Sequence, residues 1–230
     1  RAAGGAAVPG LLAATTHTGR PSTVSEYNHA FPNRYQSEGP LFLTAYGAFH
    51  GVDGLMLFTY NGARRWETDL VEGYFDTHRN PAFMALVPGL ALAYREGFIR
   101  TGEAVHTVRY SEEDVLEWPR RDDGSWPGVA PVPRTLALEH RIAVEAFDAT
   151  ATAYPAAPAP QPPYATDTGE IVWDPTGGTL RVAAPRFAAA TGFLDAAAGL
   201  DLGAGTLVSA GAGALRRDRQ PLHGRIDQHS

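Results

Sequence analysis

The feature that most constrains the fold is an alternation of helix and strand patterns through the first 100 residues. Helical stretches carry apolar side chains at i, i+3 and i+4, whereas the strand stretches alternate or form short apolar runs. The predicted order is a helix at 4–16, a strand at 20–28, a helix at 36–50, a strand at 54–60 and a helix at 80–97. Such an order predicts βαβ units and therefore a parallel sheet.

Residues that begin and end helices support this order. Asn80 followed by Pro81 predicts an N-cap and a proline at the first helical position. Gly51 and Gly97 follow the last apolar residues of their helices, where glycine ends a helix. Pro88 lies inside the last pattern and predicts a kink there.

The pattern changes after about residue 100. Short strand-like pieces at 104–110, 171–173, 179–183 and 206–209 are separated by turn sequences such as Asp123-Gly124. Residues 154–164 (YPAAPAPQPPY) predict an extended proline-rich connector. Residues 216–230 are polar and basic without periodicity. This part of the chain therefore predicts an all-β accessory domain followed by a polar tail.

Charge and composition exclude several classes of function. The net charge of −6 disfavours a nucleic-acid-binding protein, because phosphate binding needs an excess of Lys and Arg. There is no cysteine, so disulfides and a cysteine nucleophile are excluded. No apolar run approaches the ~20 residues that span a bilayer, so no membrane partner is expected. A secreted or periplasmic location is compatible with this composition, because many secreted bacterial enzymes also lack disulfides.

Residues 23–61, TVSEYNHAFPNRYQSEGPLFLTAYGAFHGVDGLMLFTYN, resemble the seventh strand, seventh helix and eighth strand of clan A glycoside hydrolases. FDTHRNPAFMALVPGLALAYREG resembles the last helix of their barrel, and WDPTGGTLRVAAPRFAAATGFL resembles a strand pair of an appended β-domain. The resemblance implies an α/β fold: a partial (β/α)8 TIM barrel (its last strands and helices), followed by a small all-β, sandwich-like domain. The implied domains are a barrel part at 1–100, a β-rich domain at 101–215 and a polar tail at 216–230.

The resemblance implies a glycosidase that hydrolyses β-linked oligo- or polysaccharides with retention. Glu26, at the end of the strand that resembles strand seven, would be the catalytic nucleophile. The substrate-binding residues would be Tyr27, Asn28, His29, Tyr60, Asn61 and Trp66. In this clan the acid/base glutamate follows strand four, which nothing before residue 20 resembles. We therefore expect that glutamate on upstream sequence, and we expect Arg1 to be a cut within a longer protein.

No metal or cofactor is expected. His29, His50 and His78 invite a metal hypothesis, with Glu26 or Asp76 as a further ligand, but no HxH or HExxH spacing occurs.

Other flagged residues have a structural and a functional interpretation. Glu38 is expected to stabilise the start of its helix, and Asp53 to hold a loop through backbone hydrogen bonds. Trp66, Tyr74 and Phe75 either form a sugar-binding platform or pack their loop onto the sheet.

Two alternatives to the glycosidase stay open. Glu26 can be a solvent-facing carboxylate at a strand end, in a non-catalytic carbohydrate-binding or remnant domain. The chain can instead be a self-standing α+β protein of another function. An isolated partial barrel would have two open sheet edges, so its expected partner is the remainder of the barrel or a second copy of the chain.

Overall fold

Helices and strands are mixed along the chain. The computed structural model describes residues 7–33, 35–62, 64, 66–67, 69–117, 134–147, 160–194, 207–212 and 223–226, the last two ranges as backbone. The helices are α1 (Ala7–Thr15), α2 (Gly39–His50), α3 (Pro81–Met84), α4 (Val87–Arg95) and α5 (Glu112–Glu117), with 3-10 helices at Gln36–Glu38 and Arg134–Leu138. The strands are β1 (Thr23–Tyr27), β2 (Gly54–Leu57), β3 (Val105–Tyr110), β4 (Arg141–Phe147), β5 (Tyr164–Ala165), β6 (Ile171–Asp174), β7 (Thr179–Ala184), β8 (Phe187–Gly192), β9 (Leu207–Ala212) and β10 (His223–Ile226).

The first half of the chain contains the predicted βαβ unit. β1 and β2 pair in parallel, and α2 connects them. The helix–strand order predicted up to residue 97 is therefore confirmed, with one difference: the last helix is divided into α3 and α4. Pro88 lies in the first turn of α4, where its missing N–H costs no hydrogen bond, so the chain breaks before this proline instead of kinking at it.

The predicted helix ends are also observed. The Asn80 side chain accepts a hydrogen bond from the Phe83 N–H at 3.1 Å, as an N-cap does. Gly51 has φ 72°, the left-handed conformation that ends α2.

Helix α2 is buried on nearly all sides. Ten of its 12 residues are buried, although the sequence predicted a single apolar face. The reason is that α2 lies between two sheets. On one side a Cβ atom on Gly47 would come within 2.8 Å of Leu55 Cδ1, so Leu55 would have to shift if Gly47 were any larger residue. On the other side Phe42 contacts Trp173 of β6 edge-on, with ring centroids 5.9 Å apart.

The second sheet has six strands in the order β10-β9-β8-β7-β6-β5. Strands β5 to β8 are antiparallel, β9 joins β8 in parallel, and β10 is antiparallel to β9. Leu180, Val182 and Phe187 point from this sheet into the same core as α2 and α4. The strands predicted near 171, 179 and 206 are confirmed, whereas β8 was not predicted from patterning and lies in the segment that resembles a strand pair.

A third, two-stranded sheet pairs β3 with β4 in parallel. The sequence predicted β3 but not β4. Val108, Ile142 and Val144 form a smaller core here with Ala13 of α1.

A buried carboxylate ties the segment after α4 to the turn before β6. Glu170 is 4% exposed, and it accepts hydrogen bonds from the backbone N–H of Arg100 at 2.7 Å and from its Nε at 2.6 Å. Arg100 Nη2 also donates to the Thr168 carbonyl at 2.8 Å. One core and these bonds thus join residues on both sides of position 100, where the domain boundary is predicted.

Two further sequence predictions concern the polar tail and the proline-rich connector. Four residues of the predicted polar tail form β10. Most of the proline-rich connector, residues 154–159, lies outside the described residues.

None of the helices described is both long enough and apolar enough to cross a membrane.

Candidate active site

Glu26 lies in an irregular part of β1. Val24 and Tyr27 are three residues apart, yet their partners in β2 are only two apart, so β1 holds one extra residue at this point. Both Val24 and Tyr27 therefore pack against the core, and Ser25 and Glu26 are exposed on the opposite side. The Glu26 carboxylate makes no hydrogen bond to another described residue.

The same side of β2 is apolar and exposed. Leu55 and Leu57 pack against the core, whereas Met56, Phe58 and Tyr60 are 48%, 40% and 54% exposed. The continuous apolar run at 54–60 predicts a strand that is buried on both faces, and that prediction is wrong for the structure as described. The reason is that β1 and β2 form a sheet of only two strands among the described residues, with the helices on one face.

A cluster of three aromatic rings follows β2. Tyr60, Trp66 and His78 contact one another in pairs, with centroid distances of 5.9, 5.9 and 6.0 Å. His78 Nδ1 lies 3.1 Å from the Tyr60 carbonyl oxygen. A carbonyl only accepts, so Nδ1 carries the proton of this bond. His78 Nε2 is buried and has no hydrogen-bond partner in the described part of the chain.

The loop that carries this cluster is held by hydrogen bonds to its backbone. The Asp76 carboxylate, which is buried, accepts the N–H groups of Gly62 at 2.7 Å and Gly73 at 3.2 Å. Arg79 Nη2 donates to the Trp66 carbonyl at 2.6 Å. The position of the Trp66 backbone is therefore fixed although its ring is exposed.

Tyr27 and His29, both predicted to bind substrate, are bonded to each other. The distance from the Tyr27 hydroxyl to His29 Nε2 is 2.9 Å, and His29 Nδ1 lies 3.3 Å from the Tyr35 carbonyl. His29 therefore donates through Nδ1 and accepts from Tyr27 through Nε2. Burial raises the pKa of Tyr27 and lowers the pKa of His29, the latter against the opposing effect of its bond to Tyr35. Both groups are thus neutral near pH 7, and the Tyr27 hydroxyl is not bonded to Glu26.

The two predicted asparagines lie at the same end of the strands. Asn28 Nδ2 donates to the Phe75 carbonyl at 2.9 Å, and its Oδ1 is buried without a partner among the described residues. Asn61 is half-buried and starts the loop after Tyr60. Phe75 in turn packs its ring against Phe58, with centroids 5.7 Å apart.

Asp53 and Glu38 are the two carboxylates for which the sequence predicted structural roles. The Ser22 N–H donates to Asp53 Oδ2 at 2.8 Å, which confirms that Asp53 holds a loop, here at the opposite end of the two strands. Glu38 makes no side-chain capping bond, and burial raises its pKa to about 7. The helix start thus does not stabilise the Glu38 charge as the sequence predicted.

The three histidines of the metal hypothesis do not converge. His50 ends α2, at the opposite end of the strand pair from His29 and His78. It is fully buried, and its Nε2 donates to the Ala137 carbonyl at 2.9 Å. Within the described ranges no group of three or more His, Asp or Glu side chains could hold a metal ion.

Similarity to known proteins gives no assignment for this site. Neither a known protein family, nor a curated protein, nor a solved structure matches the chain. The site must therefore be interpreted from its own residues. Sequence reasoning missed His78 as a polar member of it, although His78 precedes the Asn80-Pro81 helix start and follows the aromatic loop.

Proposed function

We propose that this chain is the carboxy-terminal part of a (β/α)8-barrel glycoside hydrolase, with Glu26 as the nucleophile. One observation carries the proposal: a β-bulge turns Glu26 outward at the carboxyl end of a parallel strand, beside exposed aromatic side chains. Bulges are frequent next to active sites, where they redirect a side chain. Barrel enzymes place their catalytic groups at the carboxyl ends of the strands.

The arrangement of β1, α2, β2 and α4 supports the barrel. Two successive strand–helix units lie in parallel, with their helices on one face of the sheet. In a closed barrel the other face, which carries Met56 and Phe58, would point inward and would be covered by the remaining strands. We propose the remainder of the barrel as the partner of this face, and a second copy of the chain as the alternative. The antiparallel sheet on the far side of α2 would be the appended β-domain.

The chemistry requires two carboxyl groups. The ionised Glu26 carboxylate would attack the anomeric carbon and form a glycosyl-enzyme ester, while a second carboxylic acid protonates the leaving oxygen. That residue would then remove a proton from water, which hydrolyses the ester. The two groups lie about 5–5.5 Å apart in retaining enzymes. We expect the second one on sequence outside this chain.

The polar atoms that follow the carboxyl ends of β1 and β2 suit a neutral, hydroxyl-rich substrate. Asn28 Oδ1 and His78 Nε2 are buried acceptors without partners in the described residues. Tyr60 and Trp66 supply exposed ring faces for the C–H side of a sugar. Such a mixture of aromatic surface and a few polar groups is typical of small-molecule sites.

Glu26→Gln in the complete protein tests the proposal. Gln keeps the shape but cannot form the ester, so we expect turnover of β-linked oligosaccharides to fall by about 10⁴-fold with the fold intact. Glu96→Gln, an exposed glutamate at the end of α4, is the matched control and should keep full activity. An unchanged rate for Glu26→Gln would remove Glu26 from the mechanism.

A non-catalytic carbohydrate-binding domain is the second candidate. The exposed cluster of Tyr60, Trp66 and His78 favours it, because this cluster can bind a sugar without a second carboxylate. Glycan binding by a complete protein that hydrolyses none of its ligands would select this candidate.

A further inference from the structure

We infer that Tyr60, Trp66 and His78 form a sugar subsite in which Trp66 supplies the stacking face and His78 Nε2 accepts a hydrogen bond from a sugar hydroxyl. The inference rests on the proposed carbohydrate function for the class of ligand. It adds a specificity-determining residue, His78, to the proposed site.

The Trp66 ring has the properties of a stacking platform. It is 61% exposed, although an indole is among the largest apolar surfaces a protein can bury. Tyr60 and His78 each contact it from within the cluster, with centroids 5.9 and 6.0 Å away. One face of a pyranose consists of C–H groups and packs on such a ring.

His78 supplies a directed polar group next to that ring. Its Nδ1 is engaged by the Tyr60 carbonyl, which fixes both the tautomer and the ring orientation. Nε2 is then a lone-pair acceptor, buried and without a partner in the described residues. A buried acceptor without a hydrogen bond costs free energy that a hydroxyl donor would recover. A carboxylate or phosphate oxygen without a proton cannot donate such a bond, so this acceptor favours a hydroxyl over an anionic group.

Hydrogen bonds hold the loop backbone at three points near the cluster. Asp76 holds the backbone of the loop through Gly62 and Gly73, and Arg79 holds the Trp66 carbonyl. The backbone is thus held at Gly62, Trp66 and Gly73, which lowers the entropic cost of recognition, whereas side chains around the buried Nε2 have to move to admit a hydroxyl.

Two isosteric substitutions separate recognition from structure at His78. The amide nitrogen of Asn can take the place of Nδ1, so His78→Asn keeps the bond to Tyr60 and removes the acceptor. The amide of Gln reaches the Nε2 position, so His78→Gln keeps a polar group there and loses the bond to Tyr60. If His78 only supported the loop, His78→Asn would be the milder change.

The experiment is a calorimetric titration of the complete protein carrying Glu26→Gln, so that no probe is hydrolysed. The probes are cellohexaose, xylohexaose and laminarihexaose. For whichever probe binds, we expect about tenfold weaker binding with His78→Asn, within about threefold of the parent with His78→Gln, and about tenfold weaker binding with Trp66→Ala. Phe147→Ala, an exposed aromatic of β4, is the control and should bind like the parent.

The outcomes distinguish this inference from the proposed function. Binding of none of the three probes, or normal binding by His78→Asn with loss in His78→Gln, would overturn the inference. If His78→Asn and Trp66→Ala bind normally while the complete protein hydrolyses glycans, the subsite is wrong and the proposed function stands. If the binding pattern is as expected and no glycan is hydrolysed, the subsite stands and the catalytic proposal fails.

Discussion

Two apolar surfaces of this chain differ in solvent exposure, one being buried and the other exposed. In the antiparallel sheet, Leu180, Val182 and Phe187 are at most 1% exposed, because α2 and α4 cover them. On the outward face of the parallel pair, Met56 and Phe58 have the same chemistry and are nearly half exposed. Hydrophobic side chains thus predict that a surface will be in contact with something. Whether that contact lies within the chain depends on the element that covers the surface.

The same contrast separates two histidines. His50 lies in the closed core with both ring nitrogens buried, and its Nε2 is bonded to the Ala137 carbonyl. His78 lies at the open end of the strands beside an exposed indole. We therefore expect His50 to affect stability and His78 to affect binding.

Matched phenylalanine truncations on the two surfaces should show the largest difference in stability. Phe187→Ala leaves a cavity in the closed core and should lower the free energy of unfolding by about 4 kcal/mol. Phe58→Ala removes a ring that is 40% exposed and should cost about 1 kcal/mol in this chain without the remainder of the barrel. Urea denaturation of both variants measures the two losses. Equal losses would mean that the outward face is part of the folded core.

Measuring stability as a function of pH tests the burial of His50 in the closed core. Burial lowers the pKa of His50 to about 4, and the unfolded side chain titrates near 6.5. Its contribution to stability is therefore complete above pH 6.5 and is lost as the pH falls from 6.5 towards 4. The total is about 3 kcal/mol at 1.36 kcal/mol per pKa unit.

His50→Gln is the reference for that series, because the Gln amide can still donate to the Ala137 carbonyl but does not titrate. Denaturant unfolding at pH 7.5 and 4.5 should show a steeper loss for the parent chain than for this variant. Parallel losses in the two proteins would show that His50 is protonated equally in the folded and unfolded states.

Local patterns predicted much of the fold. The spacing of apolar residues and the capping residues Asn80 and Gly51 are read within one helix turn, and both helix ends are where they were predicted. Asp53 was also predicted correctly, because a carboxylate just before a strand has backbone N–H groups within reach. Apolar patterning did not predict strand β8, because FAAATG is half alanine and does not alternate; its burial depends on the neighbouring strands as well as on Phe187.

The candidate site was less predictable because it depends on register. Strict alternation would place Val24 and Glu26 on the same face of β1, which is the core face. The bulge reverses this, and it is a property of the pairing with β2 that the sequence of β1 alone does not contain. The bond between Tyr27 and His29 likewise depends on side-chain directions that spacing does not give.

Covalent trapping tests most directly whether Glu26 is the nucleophile. The complete protein would be incubated with an activated 2-deoxy-2-fluoro-β-glycoside, whose glycosyl-enzyme ester hydrolyses slowly, then digested with trypsin and analysed by mass spectrometry. Glu26 is the one carboxylate side chain in the first 34 residues, and Glu38 falls in the next tryptic peptide after Arg34. We expect the sugar adduct on the peptide that ends at Arg34. An adduct on another peptide, or turnover of the reagent without any adduct, would contradict the assignment of Glu26.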